Sequence, residues 1–227
     1  MKLFAVKACA VLFAVFYIRL ARGDNELPFE QPEYTLVTYI EALCRFSSKF
    51  IVEQFAPNYD SIREFVDLKF GACGKLEIVD FSNGTTVTYC QHGDEECRGN
   101  KLQNCAFHML KDQDSKAKFM VCSMTTLNIP IDYTDCCMEV GLNYDELQEC
   151  ANSALGDLLL KKCHDDSADY FELSGKVPVV VWGNSTHPPY DNQTEAFMLH
   201  DMEQFITYTH RVENSTAPAI TEDEVLE

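Results

Sequence analysis

Cysteine placement constrains this chain more than any other feature. The 227 residues carry eleven cysteines: Cys9, Cys44, Cys73, Cys90, Cys97, Cys105, Cys122, Cys136, Cys137, Cys150 and Cys163. Cys9 stands apart, inside an apolar run from Ala8 to Ile18 that follows Met1 and Lys2. That run is shorter than the ~20 apolar residues a membrane span needs. Ala21-Arg22-Gly23 then supplies small residues at the two positions a signal peptidase reads. Residues 1–23 are therefore predicted to be a signal peptide, with Asp24 the first mature residue; an uncleaved anchor is the rival reading. The ten cysteines left form an even set in an exported chain, which reads as a disulfide framework because that compartment oxidises thiols. Spacing alone leaves the pairing open.

Four Asn-x-Ser/Thr tripeptides, at Asn83, Asn184, Asn192 and Asn214, lack proline in the middle position. They predict N-glycosylation, and all four fit loops. Net charge is −18, from 36 acidic against 18 basic residues. Nucleic acid and anionic membrane surfaces reward a basic face, so this balance argues against both as partners. Beyond the leader no segment is apolar enough to span a bilayer, and oligomeric state is left open.

Glu33 to Ile40 is rich in Val, Ile, Thr and Tyr and predicts a strand. Leu43, Phe46, Phe50 and Ile51 recur at helical spacing, which predicts a helix from about Cys44 toward Phe55, broken by Pro57-Asn58. Phe65 to Phe70 reads as a second strand ended by Gly71. Glu77–Phe81 and Thr85–Tyr89 flank a Ser82-Asn83-Gly84 turn, as a hairpin would. From Gly93 the pattern turns helical. One helix carries Leu102 to Leu110 and another spans Lys116 to Met124. A third carries Leu147, Cys150, Ala151, Ala154, Leu155 and Leu158 behind an Asn143 cap. Lys176 to Trp182 returns to strand character before a Gly183-Asn184 turn. Phe197, Leu199, Met202 and Ile206 predict a final helix, and the acidic tail beyond Val212 reads as disordered. Strand–helix–strand at the start and strand–helix at the end, around a helical block, is an α/β sheet with an insertion. Pro178 cannot donate to a ladder, so it belongs at a strand start, an edge or a bend. Phe46, Phe50, Phe55 and Trp182 are read as core.

Cys44 follows a strand and opens a helix, where backbone N–H groups and the helix dipole favour a thiolate. A dithiol reductase needs a second cysteine one turn later, to release the mixed disulfide that the first one forms. That position holds Ser47, in Cys44-Arg45-Phe46-Ser47, and a hydroxyl cannot do this work. Cys90, His92 and Cys97 lack a fourth ligand at zinc spacing. Neither metal nor cofactor is expected, and His92 is read as making a structural hydrogen bond.

The run Cys90-Gln91-His92-Gly93, followed by Glu96-Cys97, Asn100 and Cys105, resembles the signature CQHGxxECxxNxxxxC of the gamma-interferon-inducible lysosomal thiol reductase (GILT) family at every fixed position. The resemblance runs from about Val37 to about Tyr208. Tyr39–Cys44 is similar to the family's segment before its CxxC, Val177-Pro178 aligns with its Val-Pro strand, and Cys122, one of Cys136/Cys137, and Cys150 fall where family cysteines lie. It implies a thioredoxin-like fold with a disulfide-rich helical insertion, a cis-Pro178 facing Cys44, and reduction of protein disulfides in acidic endolysosomal compartments. The expected organisation is a thioredoxin-like domain in two parts, 24–89 and 171–211, an insertion over 90–170, and a tail over 212–227. Cys44 matches the attacking cysteine; Ser47 departs from the family at its partner, as in secreted insect members with an eroded motif. Cys90, Cys97, Cys105, Cys122, Cys136, Cys137, Cys150 and Cys163 are expected in disulfides. Cys73 is a candidate for the same set, as a bridge to Cys44, or as a remote resolving cysteine.

Two functions follow. The favoured one is a secreted protein that keeps the scaffold to bind a protein or cell-surface partner without reducing it. The other is a monothiol oxidoreductase or isomerase acting through Cys44. Secretion is the expected destination, with the lysosomal lumen as the alternative.

Overall fold

The computed structural model describes residues 34–184, apart from 85 and 126, together with 197–198. Strand β1 (Tyr34–Ile40) is buried along its whole length. It pairs in parallel with β2 (Val66–Ala72) and antiparallel with β5 (Val179–Asn184), which in turn pairs with β6 (Phe197–Met198). The sheet order is β2-β1-β5-β6. A strand covered on both faces needs apolar or β-branched side chains at successive positions, which the sequence YTLVTYI supplies.

Alternation along these strands divides the interior into two cores. Tyr34, Leu36 and Ile40 of β1 and Val180 and Trp182 of β5 face one of them. There they meet Phe50, Ile51, Phe55, Ile62, Leu102, Phe119 and Leu147. Val37, Tyr39, Val179 and Val181 face the other, with Leu160, Cys163 and Phe171 of the long helix α7 (Ala154–Ser174). The other helices are α1 (Arg45–Phe50), α2 (Ala56–Ile62), α3 (Asp94–Met109), α4 (Gln113–Thr125), α5 (Thr134–Val140) and α6 (Tyr144–Ala151). A separate hairpin pairs β3 (Glu77–Asp80) with β4 (Thr86–Tyr89).

Among the described residues β2 has a strand partner on one side alone, and side chains cover its other edge. The Asn104 amide of α3 accepts from the Ala72 N–H at 2.9 Å and donates to the Ala72 carbonyl at 2.7 Å. Gln113 of α4 accepts from the Leu68 N–H at 2.8 Å. These amides take the place of a neighbouring strand and leave less edge open to another chain.

Several elements depart from the sequence expectation. The helix after Cys44 does not stop at Pro57: a π-helical stretch, Ile51–Phe55, leads into α2, with the proline in its first turn. A widened turn there relieves the crowding between a proline ring and the carbonyl one turn back. The single helix expected through Leu147 and Leu158 is two, α6 and α7. The break falls at Ser153, whose hydroxyl caps α7 by accepting from the Leu155 N–H at 3.1 Å. Helix α5 was not foreseen. β5 begins at Val179, after Pro178, and continues through Gly183 to Asn184 instead of turning there. Phe197 and Met198 form a strand where a helix was expected; the rest of that expected helix, like the expected signal peptide and tail, lies outside the described residues.

Among the described residues four disulfides tie the elements together. Cys73–Cys163 joins the chain just after β2 to α7, and Cys90–Cys97 joins the loop before α3 to its first turn. Cys105–Cys150 joins α3 to α6, and Cys122–Cys136 joins α4 to α5. Two expectations are corrected. Cys137 is free and buried: successive residues on a helix point about 100° apart, so Cys136 reaches Cys122 while Cys137 turns into the core. Cys73 does not bridge to Cys44 and is no remote resolving thiol, because it faces the α7 core and is already paired with Cys163.

Candidate thiol site and its clamp

Where β1 ends, Glu41, Ala42 and Leu43 turn the chain into Cys44, the N-cap residue of α1. The Cys44 N–H donates to the Glu41 carbonyl at 3.2 Å, and the Cys44 carbonyl accepts from the Ser48 N–H at 3.0 Å. The thiol is free. Although only 6% exposed, Cys44 lines an open groove of about 860 Å³ with Phe46, Lys75, Gln91, Val177 and Pro178. The Val177–Pro178 peptide is cis. Phe46 was expected in the core; its side chain instead stands 74% exposed on the groove, while Phe50, Phe55 and Trp182 are buried.

Ser47 sits one turn beyond Cys44, and its hydroxyl has a structural partner. It is fully buried and accepts from the Glu41 N–H at 3.3 Å. The neighbouring Ser48 donates to the Met124 carbonyl at 2.6 Å, anchoring α1 to α4. Among the described residues the free thiols are Cys44 and Cys137. A thiolate at Cys44 can attack a disulfide, forming a mixed disulfide and expelling the other sulfur as thiolate. Ser47 offers no sulfur to complete the exchange.

The signature residues converge on this same turn. The buried Asn100 carbonyl oxygen accepts from the Ala42 N–H at 2.8 Å, and the Asn100 amide nitrogen lies 4.0 Å from the Cys90 sulfur. A Cβ at Gly99 would stand 2.7 Å from the Ala42 Cβ and 2.3 Å from Ile131 Cδ1, so glycine lets α3 press directly onto the turn. Gly93, with φ of 85°, precedes α3. Gln91 reaches the groove, and Cys97 and Cys105 are held in their disulfides.

His92 and Glu96 bring in a residue that sequence reasoning passed over. Glu96 is fully buried and accepts from the His92 N–H at 3.0 Å, while its other oxygen meets His92 Nδ1. Glu41 is buried too. Its Oε1 accepts from the Lys75 N–H at 2.8 Å, and its Oε2 lies 3.8 Å from His92 Nδ1 with no hydrogen-bond partner. Burial pushes the Glu41 carboxyl up; the Lys75 N–H opposes this, and the Glu96 charge adds to it. One signal in the sequence pointed to Glu41: it is an acid in the middle of the otherwise apolar Tyr39–Leu43. Cys137, by contrast, is a buried thiol pushed up to about 11, chiefly by desolvation.

Of the candidate glycosylation sites, Asn83 occupies the exposed turn between β3 and β4. Asn184 ends β5 instead of lying in a loop. Asn192 and Asn214 lie outside the described residues. No helix among the described residues is long and apolar enough to cross a membrane.

The family model for gamma interferon inducible lysosomal thiol reductase matches residues 35–154. GILT-like protein 1 of Drosophila melanogaster is 26% identical over 190 residues, covering 74% of this chain and 73% of its own. The gamma-interferon-responsive lysosomal thiol protein of Arabidopsis thaliana is 36% identical over 100 residues, 44% of this chain and 41% of its own. Among solved structures, Chlamydia trachomatis DsbA aligns with a TM-score of 0.54 at 14% identity, covering 85% of this chain and 90% of its own. That likeness concerns the fold, which is thioredoxin-like. The matched span takes in the Cys44 turn and the complete Cys90–Cys105 signature, and the chain belongs to the gamma-interferon-inducible lysosomal thiol reductase family.

Proposed function

We propose that this protein works in an exported compartment as a thioredoxin-like scaffold that binds polypeptides in the groove around Cys44 without net disulfide reduction. The observation that carries the reading is the buried Ser47 hydroxyl, bonded to the Glu41 N–H where a dithiol reductase needs its second sulfur. Net reduction of a disulfide takes two electrons, which a dithiol supplies by becoming a disulfide itself. Eight of the described cysteines are already oxidised in four disulfides, and Cys137 is buried in the core of the helical block. Exposed Phe46, beside Val177 and Pro178, gives the groove an apolar contact for an extended segment. The signal peptide read over residues 1–23 and the four sequons support an extracellular destination, with the lysosomal lumen as the alternative. The partner is a protein or a cell-surface component.

The free thiol supports a second reading, in which Cys44 forms mixed disulfides that an external thiol such as glutathione releases. Isomerisation is open to it as well, since shuffling disulfides transfers no net electrons.

Insulin reduction by the native protein and by Ser47→Cys separates the readings. The expected result is turbidity with the variant and none with the parent. Reduction by the parent at a rate near that of the variant would overturn the proposal. A parent that rescues scrambled ribonuclease while leaving insulin intact would favour the isomerase.

A further inference from the structure

The geometry points to a binding site for one divalent cation, with zinc as the best chemical match, formed by Glu41, His92 and Glu96 beside the Cys44 turn. The three come from separate elements: the end of β1, the loop before α3, and the first turn of α3. One ligand atom from each lies within 4.8 Å of the other two. The site does not rest on the proposed fate of Cys44, since it uses none of the sulfur chemistry.

Two observations carry it independently. The first is the arrangement: two carboxylates and one imidazole meet at a point, with both acids almost wholly buried, at 1% and 0% exposure. With both acids ionised, two buried carboxylates beside a single imidazole would carry an excess of negative charge in a poorly solvating environment, which is costly without a neutralising partner. Lys75 offsets this only slightly: its charge is the smallest of the influences on Glu41, and its ammonium donates to the Gly175 carbonyl across the groove. The second observation is the orphan. Glu41 Oε2 faces His92 Nδ1 at 3.8 Å and accepts no hydrogen bond. A buried carboxylate oxygen left without a donor is uncommon in a native protein, and an ion is one of its ordinary explanations.

The donor set selects the metal. Imidazole with carboxylate suits zinc, and three protein ligands leave a fourth position for water or a ligand. Zinc bonds of about 2.0–2.2 Å place tetrahedral donor atoms roughly 3.3–3.6 Å apart, so the widest pair closes by roughly 1.5 Å at most on binding, while His92 Nδ1 and Glu96 Oε2 move apart from their present hydrogen-bond contact. His92, with its side chain 38% exposed, provides both the freedom to move and a route for entry. A bound ion would tie the end of β1 to α3, reinforcing the hydrogen bond that Asn100 makes to the same turn.

The test uses the full, untagged chain with Cys44→Ser, so that no free thiolate at the groove contributes a ligand. After chelator treatment and dialysis, zinc is titrated at neutral pH by calorimetry, with cobalt absorption as a second readout. The expectation is one equivalent bound, with affinity falling at least tenfold in His92→Ala and in Glu41→Gln. His92 is partly exposed and Glu41→Gln keeps the side-chain shape, so circular dichroism should show both variants folded. Binding of less than 0.3 equivalents would overturn the proposal and leave the three residues as a hydrogen-bonded network. Equal affinity in parent and His92→Ala would overturn it too, by placing the metal elsewhere.

Discussion

Cys44 and Cys137 are both free and both buried, yet their surroundings make them chemically different. Cys44 stands at a strand-to-helix junction on an open groove, with an exposed aromatic and a proline as neighbours. Cys137 sits on α5, packed in a core, and the residue before it, Cys136, is disulfide-bonded to α4. Low exposure alone therefore does not say whether a thiol is available. What matters is whether the atoms over it are a rim that a substrate can share or a core that must unfold first.

The largest expected effect tests that contrast directly. Iodoacetamide at pH 8 should modify Cys44 of the native protein at least a hundredfold faster than Cys137, read by peptide mass spectrometry, with the difference lost in denaturant. With its thiol pushed up to about 11, Cys137 is only about one part in a thousand thiolate at pH 8, and it is enclosed as well. Equal rates would break the comparison. The same shift has a thermodynamic sign. A thiol whose folded value lies above its unfolded one of about 8.5 contributes stability that is fully present below that pH. The contribution is lost as pH rises from there toward 11. Chemical denaturation across that window should show the decline in the parent and a shallower one in Cys137→Ala.

A smaller effect is expected where the Cys44 turn is clamped. Asn100→Ala leaves the buried Ala42 N–H without its acceptor, a loss of about 1–3 kcal/mol. It should also change the Cys44 alkylation rate while leaving Cys137 unreactive, because the two thiols sit on different supports. The smallest effect belongs to Phe46. With that side chain 74% exposed, Phe46→Ala should alter stability by no more than about 0.5 kcal/mol. Capture of an unfolded polypeptide should weaken in that variant. If Phe46→Ala instead destabilised the fold, the ring would be packing and not a contact surface.

Much of the scaffold was legible because local chemistry and tertiary role agreed. A β-branched run became the central strand, and the hairpin followed from its turn residues. Cys44 was placed by its position between a strand and a helix. The failures came where a pattern carried no direction in space. The apolar spacing from Leu147 to Leu158 continues through Ser153, so a cap that ends one helix and starts another left the periodicity intact; Leu158 then proved to be 61% exposed. Adjacent Cys136 and Cys137 are equivalent in sequence and become distinct only when a helix turns one of them toward α4. His92 and Glu96 are four residues apart, but Glu41 lies far upstream and no spacing rule joins it to them; packing of α3 on the end of β1 does so.

The disulfides are nested. Cys122–Cys136 lies inside Cys105–Cys150, and both lie with Cys90–Cys97 inside Cys73–Cys163, whose ends are 90 residues apart. A peptide bond cut anywhere between Cys73 and Cys163 therefore leaves two fragments still joined by at least one sulfur–sulfur bond. Such a nick would split the band on a reducing gel and leave a single disulfide-joined molecule on a non-reducing one.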